Sequence, residues 1–430
     1  MPLPDLIEIV PITRPTPFRI TIPGSKSITN RALILAALAS NPITLAGALW
    51  SEDTQVMVDA LRTLGFEVAV EPDPSESANR TIRVVGRGGI IPRAGSRENP
   101  LELFVGNAGT AARFLAALVC LGPGWYRLSG VPRMHQRPQA SLLDALQQLG
   151  HQVVASDGRL PALIEGAGGP RPGRCSVSIA ESSQFASALF LTAPFAGWTI
   201  GIHGLGDADD APYVAMTQRL VEVFPFQGGR FEIEPDTSSG SYFWAAAHLL
   251  QPDRSTNPNP PPVDAWPDSG WQVDSRFPGY LPLPPVISRE SDLGDSIMTG
   301  IVLAPFASHP VRFTELGRLR VQECERVQAL HTELARCGAR IQEQGDTLLV
   351  EPGPLHGAII ETYHDHRMAM CFATLGLQVP GLKIRNPTCV RKTFPNFFQK
   401  LAAPPPSGLG AVIRDALDGR ILHGPELLAD

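Results

Sequence analysis

Six times along the 430 residues a small polar or glycine-rich start opens onto an apolar run, rich in Ala and Leu and almost free of charge. The runs are SITNRALILAALA from Ser27, GNAGTAARFLAALV from Gly106, SSQFASALFLTAP from Ser182, SSGSYFWAAAHLL from Ser238, GDSIMTGIVLAPFA from Gly294 and DHRMAMCFATLGL from Asp365. A helix apolar on every side must be covered on every side. These segments therefore predict six buried helices, with Ser, Asn, Asp or Gly at their starts as N-cap chemistry. With 43% hydrophobic residues the chain has enough apolar surface for one large or two medium domains with real cores.

Between the runs lies a second kind of segment: TQVMVDALRTLGFEV from Thr54, ASLLDALQQLGHQVV from Ala140, YVAMTQRLVEVF from Tyr213 and ERVQALHTELARCGARI from Glu325. Apolar residues recur there at three and four, and Gly or Pro often ends the run, which predicts surface helices. Short β-type stretches, TIRVVG, YRLSG, WTIGIHG, VRFTEL and TLLVE, join the two kinds. The expected fold class is α/β, built from repeated βαβαββ units.

The repeat breaks after the fourth buried run. From Gln251 to Val286 the chain reads QPDRSTNPNPPPVDAWPDSGWQVDSRFPGYLPLPPV, and proline at this density cannot sustain a helix interior. The expectation is an extended, mobile loop that leaves the fourth unit degenerate. A tail over 403–430 follows the last unit, with VIRDALDGRILHG predicted to be partly helical.

A net charge of −6 and a pI near 6.0 exclude a general nucleic-acid binder, which gains affinity by neutralising phosphates with Lys and Arg. An anionic ligand would have to meet a local cluster of cations. Helix N-termini offer unpaired N–H groups and partial positive charge, so six polar starts that also carry Lys, Arg, Asn, Gln and Asp are candidates for such a cluster. The N-terminal MPLPDLIEIVPITRP lacks the pattern of a signal peptide, and no run of about 18 apolar residues predicts a membrane span. The six cysteines are scattered, without zinc spacing, and read as reduced thiols of a cytoplasmic protein.

PGSKSITNRAL, Pro23 to Leu33, is the strongest motif. It lacks the upstream glycine of a nucleotide-binding P-loop, which argues against a kinase. What it does supply is Lys26 at a helix start with Arg31 one turn further in, both able to face an anion.

PGSKSITNRALILAALA, GNAGTAAR, PRMHQRP, SSQFASALFLTAP, RVQECERV, TYHDHRMAM and KTFPNFF stand in the order of the signatures of the 5-enolpyruvylshikimate-3-phosphate synthase family, which the chain resembles from Pro23 to Leu401 apart from the proline-rich stretch. The related family that acts on a UDP-amino sugar uses a cysteine acid for which no motif is present. The resemblance implies two domains of three units each that close on ligands like a clam: residues 23–234, and 1–22 with 235–402, followed by the tail. It implies transfer of the enolpyruvyl group of phosphoenolpyruvate to shikimate 3-phosphate, with no cofactor and no metal, by a cytoplasmic monomer.

By the same resemblance, Lys26, Asn107, Gly109, Arg137, Gln184, Arg326, Arg367 and Lys392 hold phosphoenolpyruvate, whose two anionic groups call for several fixed cations. Asp295 contacts the attacking hydroxyl, Glu323 and Lys26 carry protons at C3 and at the departing phosphate, and His366 orients Glu323. Lys26, Ser27, Arg31, Ser182, Ser183, Gln184, Tyr213 and Asp295 hold the acceptor.

Two motifs depart from the family. Its S-x-P-Y is Asp210-Ala211-Pro212-Tyr213 here, and its R-V-K-E is Arg320-Val321-Gln322-Glu323. Asp210 brings negative charge and Gln322 removes positive charge where the acceptor's phosphate belongs, while Arg318 stands where the family usually has Asn and offers compensation. Two other readings therefore stay open: transfer to an unphosphorylated cyclic alcohol such as shikimate, with Asp210 and Gln322 bonding a free hydroxyl, and a non-catalytic binding protein. The presence of Lys26, Asp295, Glu323, Arg326, His366 and Arg367 weighs against the last.

Overall fold

The protein is described by a computed structural model covering residues 3–204 and 211–429. It divides into an N-terminal unit, Gly24–Glu234, and a C-terminal unit, Met1–Pro23 with Pro235–Asp430. Ser25 N donates to Glu234 O at 2.7 Å in the first, and Asp236 N donates to Pro23 O at 2.9 Å in the second.

The N-terminal unit carries α1 (Lys26–Leu38), α2 (Glu52–Thr63), α3 (Gly109–Leu118), α4 (Pro132–Gln136), α5 (Ala140–Gln148), α6 (Gln184–Ala196) and α7 (Pro212–Val223). Every residue of α3 is buried and α1 is buried from Ile28 onward, whereas α2, α5 and α7 bury one face. Buried and surface helices thus fall where the apolar runs and the three-four periodicity put them.

The C-terminal unit continues with α8 (Thr237–Leu250), α9 (Ile297–Leu303), α10 (Arg326–Arg336), α11 (His366–Gly376) and α12 (Phe397–Ala402). Buried α8, α9 and α11 form its centre, where Ser241 Oγ lies 2.8 Å from Thr299 Oγ1. Phe243, Phe394 and Phe397 stack beside them.

Four sheets share one pattern, a parallel pair extended by two antiparallel neighbours. Pro42–Leu49, for example, runs parallel to Gly229–Glu232 and antiparallel to Asn79–Val85, which in turn pairs with Val68–Pro72. Leu101–Phe104 with Trp125–Ser129, and Val286–Ser288 with Val311–Thr314, begin two more. The fourth sheet draws on both ends of the chain: Leu6–Ile9 pairs antiparallel with Leu382–Arg385 and with Ile413–Asp415.

That pairing corrects the reading of the tail. Ile413–Asp415 is a strand, because β-branched Ile413 and its neighbours meet an open edge at Leu6–Ile9, and Gly419 at φ +78° then turns the chain back. Ile413, Leu422, Leu427 and Ala429 are all buried.

The proline-rich segment also differs from expectation. Val273–Tyr280 forms a 3-10 helix, and Val263, Phe277, Leu281 and Leu283 join the core. Trp266 anchors it, with Nε1 donating to Ser275 O at 2.9 Å and its ring edge-on to Trp244. A 3-10 turn needs few consecutive backbone donors, which is why proline did not forbid it.

Candidate active site

The N-terminal unit gathers its candidate residues where α1, α3 and α6 begin. Ser25 caps α1, and Lys26 lies 3.3 Å from Asp53 on α2. Arg31, 2% exposed, lies among three helices: Nε donates to Thr217 Oγ1 (2.7 Å), Nη1 to Ser27 O (2.9 Å), and Nη2 to Ser187 Oγ (3.1 Å) and Tyr213 O (3.2 Å). Its guanidinium also lies over the Phe114 ring. Burial pushes it down to about 10, partly opposed by Tyr213, so it remains a cation at neutral pH.

At the start of α3, Gly106 at φ +54° turns the chain so that Asn107 O accepts from Arg137 Nη1 at 3.1 Å. Gly109 is required by space: a Cβ there would run into Arg113 Nη1 and come within 2.7 Å of Arg137 Nη2. Arg113 donates to Gln184 Oε1 (3.1 Å) and Pro138 O (3.0 Å), and Gln184 Nε2 reaches Thr110 Oγ1 at 3.4 Å. Ser182 Oγ accepts from Gln184 N at 3.2 Å, and Ser183 is the residue before α6. Arg113 was not among the sequence candidates; its signal was its place four residues after Gly109, on the same helix face.

In the C-terminal unit, four cations meet three carboxylates. Asp295 Oδ1 lies 3.0 Å from Arg289 Nη2 and 3.9 Å from Arg326 Nη1, and Oδ2 lies 3.0 Å from Arg367 Nη2. Burial by itself would raise the Asp295 carboxyl, and Glu323 adds to this, but Arg367, Arg289 and Arg326 outweigh both and hold it well below the usual carboxylate range. Glu323 bridges Arg326 Nη2 (2.9 Å) and Lys392 Nζ (3.2 Å). Arg326, 1% exposed, is held by Asp365 through Nε (2.7 Å) and Nη2 (3.2 Å). Burial opposes its charge, yet Asp365, Glu323 and Asp295 raise it above the ordinary arginine value.

Asp365 also caps α11, accepting from Arg367 N at 2.8 Å, and lies 3.6 Å from His366 Nδ1. The turn into α11 has two consecutive left-handed residues, Tyr363 (φ +54°) and His364 (φ +55°). It is pinned by Tyr363 Oη donating to Glu333 Oε1 at 2.7 Å and by Asn386 Nδ2 against His364 Nδ1 at 2.7 Å. Asp365 and Arg289 were missed by the sequence reading: Asp365 passed as a cap inside its motif, and Arg289 lay in no motif.

The family described as EPSP synthase (3-phosphoshikimate 1-carboxyvinyltransferase) matches residues 13–227 and 283–401. The chain belongs to the EPSP synthase family. It is 40% identical to the 3-phosphoshikimate 1-carboxyvinyltransferase of Opitutus terrae, covering 94% of this chain and 98% of the relative. It is 37% identical to the protein of the same name from Nostoc punctiforme, over 92% of this chain and 98% of the relative. In fold it is similar to EPSP synthase from Acinetobacter baumannii (TM-score 0.67, 19% identity, 95% of this chain and 100% of the other). A second fold relative is the enolpyruvyl transferase NikO from Streptomyces tendae (TM-score 0.66, 19% identity, 96% and 99%).

Of the positions that depart from the family pattern, Asp210 lies outside the described residues. Gln322 turns inward, its Oε1 accepting from Arg326 Nη1. Arg318 is half-buried in the same unit; burial and the nearby Arg289 lower it, opposed by Glu290. Among the described residues no group of three His, Cys, Asp or Glu side chains has the arrangement of a metal site, and no helix is long and apolar enough to cross a membrane.

Proposed function

We propose that this chain transfers the enolpyruvyl group of phosphoenolpyruvate to a hydroxyl of shikimate 3-phosphate and releases phosphate. The observation that carries the reading, beside family membership, is an ionised carboxylate, Asp295, flanked by the guanidiniums of Arg289, Arg326 and Arg367. Such a carboxylate accepts the hydrogen of an attacking hydroxyl, while the cations stabilise the anionic donor as charge shifts.

In the addition step the acceptor oxygen bonds to C2 of phosphoenolpyruvate as C3 takes a proton. In the elimination step C3 loses a proton and the C2–O bond to phosphate breaks. Lys26 and Glu323 carry those protons, with His366 orienting Glu323. Asn107, Gly109, Arg137, Gln184, Arg326, Arg367 and Lys392, with Lys26, hold the donor; Arg113, bonded to Gln184, belongs to the same group. Ser27, Arg31, Ser182, Ser183, Gln184 and Tyr213 hold the acceptor. Its phosphate falls to Ser182, Ser183 and Arg318, the last supplying charge that Gln322, engaged with Arg326, does not. The relatives, named for 3-phosphoshikimate, support this acceptor over an unphosphorylated alcohol. The protein is proposed to act as a cytoplasmic monomer, on the strength of the family resemblance.

Phosphate release from phosphoenolpyruvate, measured with shikimate 3-phosphate and separately with shikimate, tests the reading. Release with the phosphorylated acceptor alone is expected. Comparable release with shikimate would overturn the acceptor assignment, and no release with either would overturn the enzymatic one.

A further inference from the structure

Up to Pro282 the proline-rich segment lies between the two stretches that match the family, 13–227 and 283–401. It nonetheless delivers one buried carboxylate, Asp274, which is 1% exposed. Oδ1 accepts from Gly294 N and Ser296 Oγ, both at 2.6 Å; Oδ2 accepts from Ser238 Oγ at 2.5 Å and Ser296 N at 3.2 Å. The two backbone donors, Gly294 N and Ser296 N, lie immediately on either side of Asp295.

We propose that Asp274 is a positioning residue for Asp295, and that holding the Gly294–Ser296 turn is the work of the proline-rich segment. The inference rests on the role proposed for Asp295 above. Helix α9 begins just after this turn, and Ser296 makes no side-chain cap of its own, so the N–H groups before the helix find their acceptor in a distant part of the sequence. Gly294 permits the approach: a Cβ there would lie 2.9 Å from Asp274 Oδ1 and 2.8 Å from Val273 Cγ1. The segment is itself fixed, with Phe277 wholly buried and Gln272 bridging Thr237 N (3.1 Å) and Pro235 O (2.8 Å) at the start of α8.

The geometry requires a carboxylate. All four partners are donors here, and although a hydroxyl can turn to accept, a backbone N–H cannot. An asparagine has one oxygen, so in either orientation its NH2 would face Gly294 N or Ser296 N. Asp295 holds a different guanidinium on each oxygen, at 3.0 Å in both cases, so a small rotation of its backbone misaligns the carboxylate.

The test uses the full-length chain. Asp274→Asn is expected to lower kcat about 10²-fold, the cost typical of a displacement of about 1 Å. The KM for phosphoenolpyruvate should stay within about threefold, since uniform binding is untouched. Amide exchange in the peptide spanning 293–300 should quicken. Ser238→Ala removes the one donor to Asp274 that lies outside the Gly294–Ser296 turn, so every bond between Asp274 and the turn remains, and it should keep kcat. If Asp274→Asn does not fold, Ser296→Ala, which removes a single donor, is expected to lower kcat about tenfold. An unchanged kcat in a folded Asp274→Asn or Ser296→Ala protein, an effect on KM alone, or an equal kcat loss in Ser238→Ala would overturn the proposal. If the wild-type chain fails to turn over the two substrates, the functional reading falls; exchange at 293–300 then decides the clamp, and unchanged exchange in Asp274→Asn overturns it.

Discussion

Asp295 shows how burial and charge compete on one side chain. Removal from water favours the neutral acid, but three guanidiniums hold it ionised, so its folded-state pKa lies below its unfolded one. The sign follows: the stability it contributes is fully present above the usual carboxylate value of about 4 and is lost progressively as pH falls from there toward its own lower folded-state value, down to which the folded protein keeps the charge. Asp295→Asn should lower kcat by about 10²–10⁴-fold, the range for a positioned acid or base. Wild-type kcat should show no acid limb from this group above about pH 5. A limb there that disappears in Asp295→Asn would contradict the account. Gly109 makes a steric prediction. An alanine methyl would displace the guanidinium ends of Arg113 and Arg137, so Gly109→Ala should raise the KM for phosphoenolpyruvate about tenfold while the thermal midpoint changes little, because both obstacles are flexible side-chain ends. An unchanged KM would separate these arginines from the donor.

At the scale of elements, the helices were legible because their signals are local. Runs such as ALILAALA have no polar face, and VQALHTELAR has one apolar stripe, so both can be read without knowing what they pack against. The tail and the proline-rich segment were not legible, since their conformations depend on distant partners. Ile413 is a strand residue because Leu6–Ile9 offers an edge, and Asp274 is buried because Gly294, Ser296 and Ser238 satisfy it. The capping expectation held at Asp365, which bonds the start of α11, and at Ser182, whose Oγ accepts from the first N–H of α6; α1 and α8 are capped instead by Ser25 and Asp236, two residues before the starts read from the sequence, and α3 and α9 begin without a side-chain cap. The strand pairing of the tail can be checked by stability. Ile413→Ala should cost about 2–5 kcal/mol in urea unfolding, as for other fully buried aliphatic residues, and a cost near zero would mean the tail does not complete that sheet.

For the whole molecule, a net charge of −6 coexists with an anion-handling chemistry because the cations are concentrated. Arg31, Arg113 and Arg137 cluster where helices begin in one unit; Arg289, Arg326, Arg367 and Lys392 surround carboxylates in the other. Most of these residues were legible in motifs that carry the family resemblance, whereas Arg289 and Asp274 stand outside such motifs and emerge only from tertiary contacts. The central claim is enolpyruvyl transfer by addition and elimination, in which C3 of phosphoenolpyruvate passes through a methyl group. Proton NMR of the products formed from phosphoenolpyruvate and shikimate 3-phosphate in deuterated water tests both parts at once. The account predicts a vinyl ether on the acceptor with deuterium at the C3 position; no vinyl ether, or one whose C3 carries no deuterium, would contradict it.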